Sequence, residues 1–142
     1  LGGGQNHRFG LYDMAMIKDN HIAGIPQESL AAHIRRLLEG LRSGPKPTFV
    51  EVEVDSLAQF DAVCEVSGVD LILLDNFELS DMREAVRRSA ARGLRGRIGL
   101  EVSGRVSLAT IGEIAATGVD RISVGALTHS AVNFDVGLDI RD

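Results

Sequence analysis

The chain has no tryptophan, one tyrosine, one cysteine and three prolines among its 142 residues. Each scarcity excludes something. With only five phenylalanines beside that tyrosine, there is no row of stacking platforms for single-stranded nucleic acid. The lone Cys64 excludes an intrachain disulfide framework and any multi-cysteine metal site, and it favours a reducing, cytoplasmic home. No apolar run approaches the roughly 20 residues of a membrane span. Basic residues are in deficit, 15 Lys and Arg against 20 Asp and Glu, for a formal net charge of −5. That leaves no electrostatic footprint for nucleic acid or an anionic membrane. The opening Leu1-Gly2-Gly3-Gly4 carries neither an initiator Met nor a charged leader ahead of an apolar stretch. It reads as a processed chain or a portion of a longer one, without a signal peptide.

What is present is ordinary globular composition, 44% apolar and 25% charged, enough for one compact domain and too little for two. Strand and helix patterns alternate along it. Met14 to Ile17 is a short apolar run. Gln27 to Arg42 places Leu30, Ala31, Ile34, Leu37, Leu38 and Leu41 on one helical stripe, stopped by Ser43-Gly44-Pro45-Lys46-Pro47. Thr48 to Val54 alternates, with Val50, Val52 and Val54 on one face and Glu51 and Glu53 on the other. Ser56 to Val66 reads as a helix with Leu57, Phe60, Val63 and Cys64 inward, and Leu71 to Leu74 as a strand buried on both faces. Leu79 to Arg92 is a helix with Met82, Ala85, Val86 and Ala90 inward, ended by Gly93. A strand over Arg97 to Val102, a helix over Ser107 to Thr117 ended by Gly118, a strand over Arg121 to Val124 and one more over Val136 to Ile140 complete the series. The strand spacing is uneven and no repeat shows at the level of the sequence, so a solenoid is not expected.

Alternating strands and helices imply parallel β-α-β units. An open doubly wound sheet and an α/β barrel both satisfy that. A complete eight-unit barrel takes about 250 residues, so residues 1–142 are read as an incomplete, TIM-like parallel α/β barrel. Lys18, Glu53, Asp75, Ser103 and Gly125 each fall at or just beyond a strand's carboxyl end. Ligands bind there in both architectures, so these residues are expected to share one pocket.

Glu53 and Asp75, on neighbouring strand ends, could hold one Mg²⁺ with substrate phosphates completing its shell. Alternatively, Glu53 simply pairs with Lys18. Glu51 faces the same way but deeper, and is expected to be a buried, hydrogen-bonded carboxylate. Ser103-Gly104 and Gly125-Ala126 each lead from strand to helix, where free N–H groups suit phosphate; glycine there also serves simple turns. His7-Arg8 offers donors for a carboxylate, or is a solvated loop. His7, His21 and His129 are too scattered for a zinc motif, and His33 sits on the outer side of its helix. Cys64 reads as a small buried hydrophobe, and Arg87-Arg88 as a solvated face.

Several stretches together resemble the quinolinate phosphoribosyltransferase family. They are Gly2-Gly3-Gly4-Gln5-Asn6-His7-Arg8, Gly10-Leu11-Tyr12-Asp13 and Ile17-Lys18-Asp19-Asn20-His21-Ile22, followed by Glu51-Val52-Glu53-Val54-Asp55-Ser56-Leu57 and Leu73-Leu74-Asp75-Asn76-Phe77. Glu101-Val102-Ser103-Gly104 and Val124-Gly125-Ala126-Leu127-Thr128-His129 continue them. The resemblance implies the C-terminal barrel of a two-part enzyme, without its N-terminal sandwich domain. It implies transfer of phosphoribose from phosphoribosyl pyrophosphate (PRPP) to quinolinate with decarboxylation, giving nicotinate mononucleotide, pyrophosphate and CO₂ in NAD synthesis. It further implies Mg²⁺ bound with PRPP, and a homodimer in which the neighbouring subunit completes the site. On this resemblance His7, Arg8 and Lys18 meet the quinolinate dianion, and Glu53 and Asp75 meet Mg²⁺ and the ribose. Ser103, Gly104 and Arg105 form one phosphate loop, Val124, Gly125 and Ala126 the other, with His129 adding a donor. Lys18, Glu53 and Asp75 carry the catalysis. The family commonly reads Ser-Gly-Gly where this chain has Arg105 in third place.

Three rivals remain on the residues. A Schiff-base aldolase would use Lys18 as nucleophile. A molybdenum-operon relative of the same fold is set aside by the intact Lys18-Asp19-Asn20-His21. A non-catalytic barrel fragment would bind neither substrate.

Overall fold

A computed structural model describes residues 2–10, 12–41, 47–133 and 135–138. Five strands, β1 (Met14–Ile17), β2 (Phe49–Val54), β3 (Leu71–Asp75), β4 (Gly99–Ser103) and β5 (Arg121–Ile122), form one parallel sheet in the order β1-β2-β3-β4-β5. Each crossover steps one place in the same direction. A doubly wound sheet would reverse its order part-way, so the winding is that of a barrel arc.

The arc is curved. β5 lies three places from β2, about 14 Å away in a flat sheet. Yet the Arg121 guanidinium stands 5.6 Å from the centre of the Phe49 ring. The inner face of the sheet therefore closes on itself as a barrel lumen does.

Helices α1 (Asp19–Ile22), α2 (Gln27–Leu41), α3 (Leu57–Cys64), α4 (Leu79–Ala91), α5 (Ile111–Ala115) and α6 (Ala126–His129) fill the connections. The core lies between the outer face of the sheet and the helices. Val52, Val54, Ile72, Leu74, Leu100 and Val102 meet Leu30, Ile34, Leu38, Phe60, Val63, Met82, Ala85 and Ile114 there. Burying this apolar surface is the main stabilising term.

Most expected elements hold, with boundary changes that have physical reasons. α2 buries the expected stripe at Leu30, Ala31, Ile34 and Leu38; Arg42 and residues 43–46 lie outside the described residues. In α4 the inward residue of the last turn is Ser89, and Ala90 is exposed. Gly93 closes it at φ +66°. The helix expected over Ser107 to Thr117 is confined to Ile111–Ala115. Ser107 and Thr110 bond each other instead, Ser107 N–H donating to Thr110 Oγ1 at 3.0 Å, and Leu108 is 98% exposed with nothing to pack on. Residues 136–138 are not in a strand; the rest of that expected strand lies outside the described residues. Arg87 and Arg88 are not simply solvated. Both pair with Glu84, and Arg88 and Arg92 reach Asp61 of α3.

One local motif recurs in the fold. Asp70 Oδ2 accepts the Val50 N–H at 2.8 Å, and Asp120 Oδ2 accepts the Leu100 N–H at 2.8 Å. In each case the aspartate's own N–H returns to the carbonyl of that same residue. Gly68 and Gly118, two residues before each aspartate, take φ +93° and +89°. Gly68-Val69-Asp70 and Gly118-Val119-Asp120 thus stand alike beneath β3 and β5, clasping β2 and β4. Intervening segments of unlike composition hide the correspondence.

Candidate functional site

Strand alternation turns Glu51, Glu53, Leu73, Asp75, Glu101, Ser103 and Arg121 to the lumen face. The register confirms it: Glu53 pairs with Leu73, Leu73 with Glu101 and Glu101 with Arg121, while Asp75 pairs with Ser103. Lys18 follows β1 directly, and its Nζ lies 3.7 Å from Glu53 Oε2. Asp75 sits two residues beyond Leu73 on the neighbouring strand, so Glu53 and Asp75 share one face with Cα atoms about 8 Å apart by strand geometry.

Beyond β3 and β4 the chain is tightly tied. Asn76 N–H donates to the Ser103 carbonyl at 3.0 Å, and Asn76 Nδ2 donates to Asp75 Oδ2 at 2.8 Å. Gly104 takes φ +89°, and a Cβ there would collide with the Asn76 carboxamide. Asn76 and Arg105 are themselves left-handed, at φ +54° and +52°. Arg105 leans back over Asn76 and stands 3.9 Å from Glu78. A cleft of about 190 Å³ opens here, lined in part by Asn76, Glu78, Gly104, Arg105 and Thr110. Val124, Gly125 and Ala126 follow β5 on the same rim. There His129 N–H donates to the Gly125 carbonyl, and its Nδ1 lies 2.8 Å from Ser130 Oγ.

His7 and Arg8 do not join that rim. Arg8 lines a separate cleft of about 410 Å³ with Phe9, Tyr12, Asp13, Met14, Thr48 and Phe49. Those residues begin β1 and β2, whereas Lys18 and Glu53 lie towards their carboxyl ends. The five strand-end residues thus share one rim, and Arg8 stands apart from it. The reason is local: segment 2–10 has no regular structure, is anchored by Phe9 N–H to Asp13 Oδ2 at 2.9 Å, and sends His7 into the lumen from below.

There His7 Nε2 lies 3.3 Å from Glu51 Oε2 and 3.2 Å from Glu101 Oε1. Ser123 Oγ donates to Glu101 Oε1 at 2.5 Å, and Arg121 stands 4.0 Å from Glu101 Oε2. Glu51 is fully buried as expected, but beyond the His7 contact its oxygens find no hydrogen-bond partner among the described residues. Burial first, then the charge of Glu101, push its carboxyl up to about 7; Arg121 opposes them, Glu53 adds less, and Arg8 opposes least. The triad of His7, Glu51 and Glu101 was missed in sequence because its members come from distant segments. The available signal was alternation, which puts Glu51 with Glu53, and Glu101 with Ser103, on one face.

The remaining candidates are structural. The His21 ring accepts the Lys18 N–H at 2.8 Å, and its carbonyl meets the ring of His33. Cys64 is half-buried, its thiol pushed up to about 11 by burial, which leaves it protonated and inert.

The family profile described as "Quinolinate phosphoribosyl transferase, C-terminal domain" matches residues 1–139. The chain belongs to that family. Among relatives with the quinolinate phosphoribosyltransferase C-terminal domain, the nicotinate-nucleotide pyrophosphorylase [carboxylating] of Mycobacterium leprae is 44% identical over 99% of this chain and 46% of its own length. The probable counterpart from Archaeoglobus fulgidus is 42% identical over 99% of this chain and 51% of its own. The crystal structure of nicotinate-nucleotide pyrophosphorylase from Ehrlichia chaffeensis superposes with a TM-score of 0.78 at 38% identity, covering 99% of this chain and 47% of that one. The chain spans about half the length of the curated relatives it matches. Among the described residues, no helix is long and apolar enough to cross a membrane.

Proposed function

We propose that the protein transfers phosphoribose from PRPP to quinolinate and decarboxylates the adduct, releasing pyrophosphate and CO₂ and leaving nicotinate mononucleotide. The observation that carries this reading is the row of Lys18, Glu53, Asp75 and Ser103 along one rim, in a chain whose residues 1–139 match the family's C-terminal domain. Lys18 is a cation for a pyridine carboxylate. Glu53 and Asp75 face the ribose, where their charge stabilises the oxocarbenium character that develops as pyrophosphate departs. Holding the pyridine nitrogen against the anomeric carbon contributes through proximity. The turns at Ser103-Gly104-Arg105 and Val124-Gly125-Ala126 present small residues to the phosphates, with His129 beside the second.

Two hard carboxylates on one face fit Mg²⁺, which takes one or two such ligands and fills its shell with waters and substrate phosphates. Glu53 and Asp75 would hold it, and when bound it neutralises charge on the pyrophosphate. Quinolinate binding by His7 and Arg8 requires segment 2–10 to bring Arg8 from the lower cleft to the rim. A second copy of the chain supplying further cations would make a homodimer the working unit. A cytoplasmic setting suits the single inert thiol.

The test is turnover by the purified protein at its full natural length, given quinolinate, PRPP and MgCl₂. Appearance of nicotinate mononucleotide with matching CO₂ supports the reading. Substrate-dependent borohydride trapping on Lys18 without such product would replace it with Schiff-base chemistry.

A further inference from the structure

We infer, on the basis of the transferase reading, that Asn76 is a positioning residue: its carboxamide holds the Asp75 carboxylate and the Ser103-Gly104-Arg105 turn together as one PRPP-facing unit. Asn76 stands directly after β3, between Asp75 and the buried Phe77. Its Nδ2 donates to Asp75 Oδ2 at 2.8 Å. Its backbone N–H donates to the Ser103 carbonyl at 3.0 Å. Asp75 and Ser103 are already register partners, so Asn76 carries the β3–β4 pairing one step past the strand ends.

The carboxamide has one favourable orientation. Its NH₂ faces a carboxylate, and its Oδ1 faces the Arg105 guanidinium, whose Nε stands 3.4 Å away. Turned over, its oxygen would meet the carboxylate and its NH₂ the guanidinium, acceptor against acceptor and donor against donor. Arg105 Nη2 also reaches the Asn76 carbonyl at 3.4 Å. One residue thus bridges a rim carboxylate and a phosphate turn that arise on different strands.

The neighbouring chain is shaped around this side chain. Asn76 takes φ +54°, a conformation that glycine adopts with least strain and that asparagine tolerates because its short polar side chain bonds locally. Gly104, at φ +89°, has no side chain where the Asn76 carboxamide lies, and a Cβ there would collide with it. Phe77, buried in the core, anchors the backbone just beyond. With Oδ2 engaged by Asn76, the rotation of the Asp75 carboxylate is fixed, and with it the aim of Oδ1. A misplacement of about 1 Å at a reacting centre costs on the order of 100-fold in rate, so the bond to Asn76 is a lever on turnover.

The experiment uses the protein at its full natural length. Asn76→Gly keeps the left-handed turn and the N–H to Ser103 but removes the carboxamide. Asn76→Asp keeps the shape and sets a like charge beside Asp75 in place of the NH₂ donor. Both are expected to lower kcat/KM for PRPP by about 10–100-fold and to weaken Mg²⁺-PRPP binding in calorimetry, with the quinolinate KM within about twofold of the wild type. A role in folding alone would lower the melting temperature and the active fraction while leaving both KM values unchanged, and that result overturns the inference. Wild-type PRPP kinetics in both variants, or equal losses for the two substrates, overturn it as well. Should Asn76→Gly fail to fold, Asn76→Asp, which also tolerates the left-handed backbone, gives the same readout. A wild-type protein that binds Mg²⁺-PRPP but forms no nicotinate mononucleotide would sink the transferase reading alone; the calorimetric comparison of the variants would still decide for or against Asn76.

Discussion

Asp75 and Glu51 both face the lumen, and their substitution should do opposite things. Asp75→Ala removes a half-buried carboxylate whose one described side-chain bond is to its neighbour Asn76. Turnover should fall at least about 100-fold, the scale of a lost electrostatic contact to the transition state, with the melting temperature nearly unchanged. Steady-state kinetics beside a thermal melt checks both. Glu51 is a stability liability. Its carboxyl rises from 4.5 to about 7 in the folded chain, so between those values the native state keeps a proton the unfolded chain has lost. Stability should therefore fall as pH rises from about 4.5 to about 7. Glu51→Gln should flatten that slope in melts across the range. Lys18, Glu53 and Asp75 were legible because a strand's end and a polar residue coincide in sequence. The His7 triad was not, since it depends on curvature, which alternation does not encode.

Elements carry a different kind of dependence. α4 is held to α3 by Arg88 and Arg92 reaching Asp61, while Glu84 accepts from Arg87 and Arg88. The hydrogen bonds from Arg87 and Arg88 hold the Glu84 carboxyl down to about 2. Their contribution is present above the ordinary value of 4.5 and is lost as pH falls from there towards about 2. Arg88→Ala should lower the urea midpoint, because it removes the ion pairs to Glu84 and Asp61 and strips packing from the interface. Phe60, fully buried on α3, should cost about 3–5 kcal/mol when cut to alanine. Amphipathic spacing announced α2, α3 and α4. It overstated α5, where side-chain bonds between Ser107 and Thr110 compete with the helix, and no spacing rule signals that competition.

At the scale of the molecule, the winding order was only half legible. Alternation of strand and helix fixed parallel pairing but left two architectures, and the unidirectional step from β1 to β5 decides between them. The recurrence of Gly-Val-Asp at 68–70 and 118–120 was easy to pass over because it is three residues long and its structural role lies in the backbone bonds that each aspartate makes. That repeat bears on how the arc comes apart. The Asp70 and Asp120 clasps share no bonding partner and lie about 10 Å apart by strand spacing. Asp70→Ala and Asp120→Ala should each cost about 1–3 kcal/mol by orphaning a backbone N–H. The Asp120 change should be the larger, since Arg95 loses its two-point grip as well. Independent bolts give losses that sum in the double variant. A collapse well beyond the sum would reveal that the two strand pairs melt as a single cooperative body, so that loosening either foot already loosens the other.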